Sequence, residues 1–304
     1  MPQDTPRAIG LRQRLQNAGQ PLQLSLNEML RLYFLDGVLR RLEASAYHPR
    51  FVLGGALLLY KLVLGPALAR LTQDSDFSVQ VLPADAHAIQ AVIQAIVTPI
   101  LSDELVFDPT SVFVAPNMAG NPQAGLHARL TGYLGKARDT VSLDCSFGPV
   151  FPPGPQLRQL PSTLPGQPPI PVWTMPLEDI LAGKVEGMLR RGASSTRYKD
   201  FWDVARLAET QDFQGDLLRS TLVDTCAYYG TPLTTSSEVF ASVTFPTDQA
   251  QVANWQRFLA RIRGTALAMP TFTTVIQQVR ALYGPVLTDQ MHGKTWHHQS
   301  AGWQ

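Results

Sequence analysis

Asp74 and Asp76 stand two residues apart in the stretch 70–78, RLTQDSDFS. Residues 74–82 alternate, which predicts a strand with Asp74, Asp76 and Ser78 on one face and Phe77, Val79 and Val81 on the other. Two carboxylates sharing a face can reach one divalent ion, or two ions about 3.5 to 4 Å apart. Mg²⁺ suits such a pair, because it takes few carboxylates and fills its shell with water and substrate phosphates. A solvated strand edge is the bland alternative, and the surroundings must decide. Upstream, residues 51–53 read as a short buried strand, Gly54 and Gly55 as a turn, and 56–64 as a helix that Gly65 and Pro66 end. A glycine turn between strand and helix lets backbone N–H groups approach a triphosphate at the helix N-terminus. The same glycines could instead serve only helix–strand packing.

A third carboxylate lies further on. Residues 126–134 and 140–147 look like strands joined by a polar turn at Gly135 and Lys136. In the second, Ser142, Asp144 and Ser146 face away from Val141, Leu143 and Cys145, so Asp144 offers a third ligand or a base for an attacking hydroxyl. Its bland role is a salt-bridged strand residue. On a predicted helix over 177–191, Ile180, Leu181, Val185 and Met188 form an apolar stripe that includes Lys184. That lysine either snorkels to solvent or holds a nucleotide's phosphates. Arg190, Arg191, Arg197 and Lys199 form the densest basic cluster, followed by Asp200 and Asp203. They read as a local basic face or as a solvated helix end, with the acids in the first turn of the next helix.

The elements that must position these groups follow from pattern and composition. The 304 residues are 45% hydrophobic and 16% charged, enough for an ordinary globular core, and the formal charge of +1 gives no global reason to expect nucleic acid. Any basic surface has to be local. Ser25 and Glu28 have capping-box spacing before a helix over 26–44, and 86–97 is also helical. Proline density from 149 to 176 predicts an extended connection outside the core, hence a domain boundary, with a core domain at 1–170 and a mainly helical domain at 171–304. Further helices are expected over 199–209, 248–262 and 271–283, and His297 and His298 read as tail residues. The apolar run 51–68 fails as a membrane span, because Lys61 and four Gly or Pro residues interrupt it. The N-terminus shows no secretory pattern, and Cys145 and Cys226 match no metal or disulfide spacing, so a cytoplasmic setting is expected.

Several segments together resemble the AbiEii/AbiGii-type nucleotidyltransferase toxins of bacterial toxin–antitoxin and abortive-infection systems. They are 33–69 with RRLEAS and RFVLGGALL, 70–78, 141–148 (VSLDCSFG), and 176–208, where LEDILAGKVEGML leads to SSTRYKDFWD. The last is the most specific. The resemblance implies an α/β fold, a polymerase-beta-like mixed-sheet core with a C-terminal helical domain. It implies metal-binding catalysis by Asp74 and Asp76, with Lys184 on the nucleotide and Asp200 completing the cleft. Gly54, Gly55, Ala56, Arg70 and Thr72 would join Lys184 in nucleotide binding, and Asp144, Lys199 and Asp203 would support. The implied reaction uses Mg²⁺ to move NMP from an NTP to a hydroxyl of RNA, the tRNA 3′ end for instance, with an antitoxin as partner and no membrane. The chain departs from the family where relatives have lysine at Gly54 and Ser or Thr at Ala56, so a hydroxyl contact to phosphate is missing. Two alternatives stay open: a small-molecule, antibiotic-type nucleotidyltransferase, favoured by a cleft that is acidic rather than rimmed by Arg190, Arg191 and Arg197, and a degenerate nucleotide- or partner-binding protein without turnover.

Overall fold

The structure is a computed structural model, and it describes residues 3–72, 74–117, 125–233, 238–262 and 269–304. The chain divides into two compact units. The first comprises Met1–Val63, Leu71–Pro149 and Pro155–Met175; the second comprises Leu64–Arg70, Val150–Gly154 and Pro176–Gln304.

The first unit begins with helix α1 (Pro6–Gly19), where Thr5 caps the N-terminus by accepting from the Ala8 N–H. Helix α2 (Leu26–Glu43) follows, and the predicted capping box is present: the Ser25 hydroxyl accepts from the Glu28 N–H while the Glu28 carboxylate accepts from the Ser25 N–H at 2.7 Å. Strand β1 (Phe51–Gly54) turns at Gly55 into helix α3 (Gly55–Leu58), continued by a π-helical turn over Leu59–Val63. The α-helix expected over 56–64 is thus wound differently in its second half. Strand β2 (Asp74–Val79) stops short of the predicted residue 82, because Val81 takes a φ of 60° that no strand continues. Helix α4 (Ala86–Val97) leads to β3 (Leu105–Pro116), β4 (Leu126–Leu134) and β5 (Ala137–Ser146), and then to β6 (Gln156–Leu160) and β7 (Ile170–Thr174).

The seven strands form one mixed sheet in the order β3-β4-β5-β2-β1-β7-β6. Strand β2 runs parallel to β5 and antiparallel to β1, while β1 runs parallel to β7. One face carries Ala128, Leu130, Val141, Leu143 and Cys145, all buried, and helices α2 and α4 pack with this sheet. The proline-rich segment was expected outside the core and is corrected here: β6 and β7 lie within it, and Leu160, Ile170 and Val172 are buried. Pro171 is tolerated in β7 because β1 pairs with β7 only at Leu53 and Thr174, beyond the proline. Lys61, which interrupts the apolar run, has its side chain turned inward and ion-paired with the buried Asp36; it also donates to Thr163 Oγ1 at 2.9 Å. Arg41 similarly makes a two-pronged pair with Asp103 at 2.7 and 3.1 Å and donates to the Leu105 carbonyl. No helix among the described residues is long and apolar enough to cross a membrane.

The second unit is mainly helical: α5 (Leu177–Arg191), α6 (Tyr198–Thr210), α7 (Gly215–Tyr229), α8 (Glu238–Ala241), α9 (Gln249–Leu259) and α10 (Phe272–Leu287). Tyr198, Phe201, Trp202, Trp255 and Phe272 interlock at its centre, with ring centroids 5.3 to 6.5 Å apart. Strands β8 (Phe213–Gln214), β9 (Thr295–His297) and β10 (Gly302–Trp303) make a small sheet. His297 and His298 are therefore not loose tail residues. Both approach Asp212, at 3.2 and 2.7 Å, and the His298 N–H and ring hold that carboxyl down to about 2. The anchor that alternation could not reveal is Trp296, buried and donating to the Ala208 carbonyl.

Asp179, in the first turn of α5, accepts from the Phe151 N–H at 2.9 Å, and burial pushes its carboxyl up to about 7 despite that bond. The folded protein then binds a proton that the unfolded chain has already lost between about pH 4 and 7, so stability falls as pH rises through that window. Asp179→Asn is expected to flatten this dependence and to raise stability at pH 8 by roughly 1–2 kcal/mol, discounted for partial solvent screening. Urea unfolding at pH 5 and pH 8 measures it.

Candidate active site

The mixed sheet sets the site by register. Asp76 of β2 lies opposite Gly54 of β1 and opposite Asp144 of β5, and Asp144 in turn lies opposite His127 of β4. Four strands thus place Gly54, Asp76, Asp144 and His127 in one row. Asp74 sits one step along, opposite Ser142, on the same face. Because β2 joins an antiparallel neighbour to a parallel one, its two aspartates come beside the strand-to-helix turn and the third carboxylate together.

Local contacts orient each group. The Thr72 hydroxyl donates to Asp74 Oδ1 at 2.6 Å, which makes Thr72 a positioning residue for that carboxylate. His127 Nδ1 donates to Asp144 Oδ1, also at 2.6 Å, with both side chains about one-third exposed. Gly55 adopts a φ of +61°, and a Cβ built there would lie 1.8 Å from Asp76 Oδ2. Glycine is required twice over at this position, by its backbone and by the space Asp76 occupies. Ala56 is buried, so its methyl packs into the core.

In the second unit, the Lys184 side chain is only 10% exposed and does not snorkel. Its ammonium donates to Asp203 Oδ2 at 2.7 Å and to Asp200 Oδ1 at 3.1 Å. Burial alone would push its pKa down, but Asp203 and Asp200 outweigh it and hold the ammonium above its ordinary range. Burial likewise pushes Asp200 up, and Lys184, Arg197 and Lys199 reverse it to a lowered value. Arg70 joins through Asp203 at 3.2 Å, and Arg197 meets Asp200 at 2.6 Å. Arg190 pairs with Glu186 at 2.8 Å. Arg190 and Arg197 of the basic cluster are consequently tied to acids of the same segment, Arg191 donates to the Gly187 carbonyl at 3.4 Å, and Lys199 is exposed.

Among the expected site residues, the structure gathers Gly54, Gly55, Asp74, Asp76 and Asp144 within the first unit, and Arg70, Lys184, Asp200 and Asp203 within the second. His127 was missed. Its only sequence signal is its place on the polar face of an alternating strand, and that signal points to Asp144 only once the register of β4 on β5 is known.

The family model for the Nucleotidyl transferase AbiEii toxin, Type IV TA system, matches residues 37–278. The chain belongs to the AbiEii nucleotidyltransferase toxins. It is accordingly a nucleotidyltransferase of α/β fold, of the type IV toxin–antitoxin class. Comparison with curated proteins by sequence finds no match. Among solved structures, MenT4, a nucleotidyltransferase toxin from Mycobacterium tuberculosis, is similar with a TM-score of 0.54 and 17% identity, over 92% of this chain and 98% of that one. A Helicobacter pylori protein provisionally assigned as a nucleotidyltransferase gives 0.48 and 14%, over 88% and 97%, and JHP933 from the same organism gives 0.46 and 13%, over 88% and 94%.

AbiEii chemistry implies a divalent ion, and the residues present fit one. Asp74 and Asp76 supply hard oxygen donors on one face, Asp144 stands opposite Asp76, and the absent Cβ at Gly55 leaves the Asp76 carboxylate its room. Among the described residues no group of three or more His, Cys, Asp or Glu side chains converges as a closed metal cage. A two-carboxylate site completed by water and phosphates needs none.

Gly55→Ala should displace Asp76 and cost about a hundredfold in transfer rate, along with roughly 1–2 kcal/mol of stability from the left-handed backbone. Asp203→Ala should instead leave Lys184 buried with one acid fewer and destabilise by about 3 kcal/mol. Paired turnover and thermal unfolding assays separate the two effects.

Proposed function

We propose that this toxin transfers a nucleoside monophosphate from an NTP to a hydroxyl of RNA, with the tRNA 3′ end as acceptor, using Mg²⁺ bound by Asp74 and Asp76. The observation that carries this reading is the row of Asp76, Asp144 and His127, with Gly55 leaving room beside Asp76. When bound there, the ion would supply Lewis-acid polarisation of the α-phosphate and charge balance for departing pyrophosphate. Asp74, fixed by Thr72, and Asp76 hold their oxygens on the nucleotide side of the sheet. Asp144 takes the proton of the attacking hydroxyl, and His127, hydrogen-bonded to its Oδ1, keeps the carboxylate turned toward the acceptor. Backbone amides at Gly55 and Ala56 cradle phosphate in place of the hydroxyl the chain lacks. Lys184 is the cation assigned to the triphosphate, kept charged by Asp200 and Asp203. The partner is a cognate antitoxin, and the setting is the cytoplasm.

Incubating the protein with Mg²⁺, each labelled NTP in turn and total tRNA should label RNA with wild type, and at least about a hundredfold less with Asp76→Ala. Wild type that labels a small-molecule acceptor while leaving RNA unlabelled would overturn the RNA reading. The ion pairs that occupy Arg190 and Arg197 are the observation favouring that small-molecule outcome.

A further inference from the structure

With Arg190 and Arg197 engaged by Glu186 and Asp200, a cationic surface beside the candidate carboxylates becomes a stronger place for an RNA acceptor. The face of β3, β4 and β5 opposite the buried one supplies it. Arg129 lies across from Phe113 on one side and from Ser142 on the other, and Ser142 lies across from Asp74. Tyr133 lies across from Arg138. His127 lies across from Asp144. These side chains share the face that carries the candidate catalytic carboxylates, because every one occupies the same alternation phase.

Two properties of this face call for a ligand. The Phe113 ring is 55% exposed, with the Arg129 guanidinium 5.9 Å from its centroid. Among the described residues, neither Arg129 nor Arg138 has a carboxylate partner, and both are exposed. Asp108, the acid of β3 on this face, is turned to the backbone and hydroxyl of Thr110. What remains is aromatic rings alternating with unpaired guanidinium groups on an open sheet, the combination that stacks bases and takes phosphates.

We propose that this face is the docking platform for the single-stranded end of the RNA acceptor, with Phe113 and Tyr133 stacking bases and Arg129 and Arg138 meeting phosphates. The inference rests on the RNA-acceptor reading and gives it a location. Three strand steps separate Asp74 from Phe113, about 14 Å, so a terminal nucleotide seated at Asp144 leaves its predecessors over Arg129 and Phe113. A single strand fits better than a protein partner: the exposed apolar side chains of β3 on this face, Val106 and Phe113, are separated by Asp108 and the bulge and lie among Arg129, Thr131 and Arg138 rather than forming a continuous greasy surface.

The test uses the full chain and a 5′-fluorescein-labelled, 12-nucleotide single-stranded RNA of mixed sequence, with binding read by anisotropy across a NaCl series. Phe113→Ala should weaken binding about tenfold and Phe113→Trp should preserve it. Arg129→Ala should weaken binding and lower the slope of log K against log salt by about one. All three substitutions are at exposed positions, so thermal midpoints and the thermal shift given by NTPs with Mg²⁺ should match wild type. If wild type labels RNA in the transfer assay, and either these variants bind the oligonucleotide as wild type does or wild type itself binds none, the platform is wrong and the acceptor reading stands. If wild type neither binds nor labels RNA, both fall. A change of oligomeric state in Phe113→Ala, with RNA binding intact, overturns the platform in favour of a protein interface.

Discussion

Everything in the first unit depends on the register of β2 between two neighbours of opposite direction. Pairing Asp76 with Gly54 on one side and Asp144 on the other is a single geometric condition. A slip of one residue would turn Asp74 and Asp76 toward the buried face and bring Ser75 and Phe77 out. Phe77 is buried and packs edge-on against Phe51 at 5.7 Å, so the apolar half of the alternation fixes the polar half. The register that faces the carboxylates outward is thus fixed from the opposite side of the sheet.

Buried charge is handled in the same way in both units. Lys61 with Asp36, Arg41 with Asp103, and Lys184 with Asp200 and Asp203 each place a cation in the interior against carboxylates and further hydrogen bonds. Desolvation makes each arrangement costly to break and of little net benefit to stability when intact. What such pairing secures is position. Lys184 stays charged and oriented because two acids on the following helix outweigh its burial, whereas a flexible surface lysine would lose its geometry on every rotamer hop. Asp200 and Asp203 are buried at the start of α6, and the backbone of that helix sets where the ammonium can be.

The legible parts of the sequence were those with strong local periodicity or chemistry. Helices α2, α4, α5 and α6 announced themselves through caps and apolar stripes, and the motif strand through its alternation. Strands β6 and β7 were hidden because prolines dominate their segment, and the pairing that tolerates Pro171 is a tertiary fact. Strand β3 carries Pro109 and a bulge between Asp108 and Phe113, which broke the period that would have exposed it. Asp74, Asp76 and Asp144 could be named from spacing and facing alone. His127, Arg129 and Phe113 could not, since each gains meaning only from the residue across the ladder. Lys184 was visible as an anomaly on an apolar stripe, but its confinement by Asp203 depends on how α5 meets α6.

The two halves of the sheet also differ in what they can face. Its parallel pairs, β2 with β5 and β1 with β7, sit centrally, where strands need cover on both sides, while β3, β4 and β5 form an antiparallel wing able to present one face to water. The carboxylates stand at the seam between the two regimes. In the proposed reaction such a seam would set the glycine turn, for the triphosphate, beside an open, aromatic and cationic surface for an RNA acceptor. The boundary falls at β5, whose Asp144 pairs with Asp76 on one side and His127 on the other. In the proposed reaction that strand carries the group that would accept the proton as the two substrates meet.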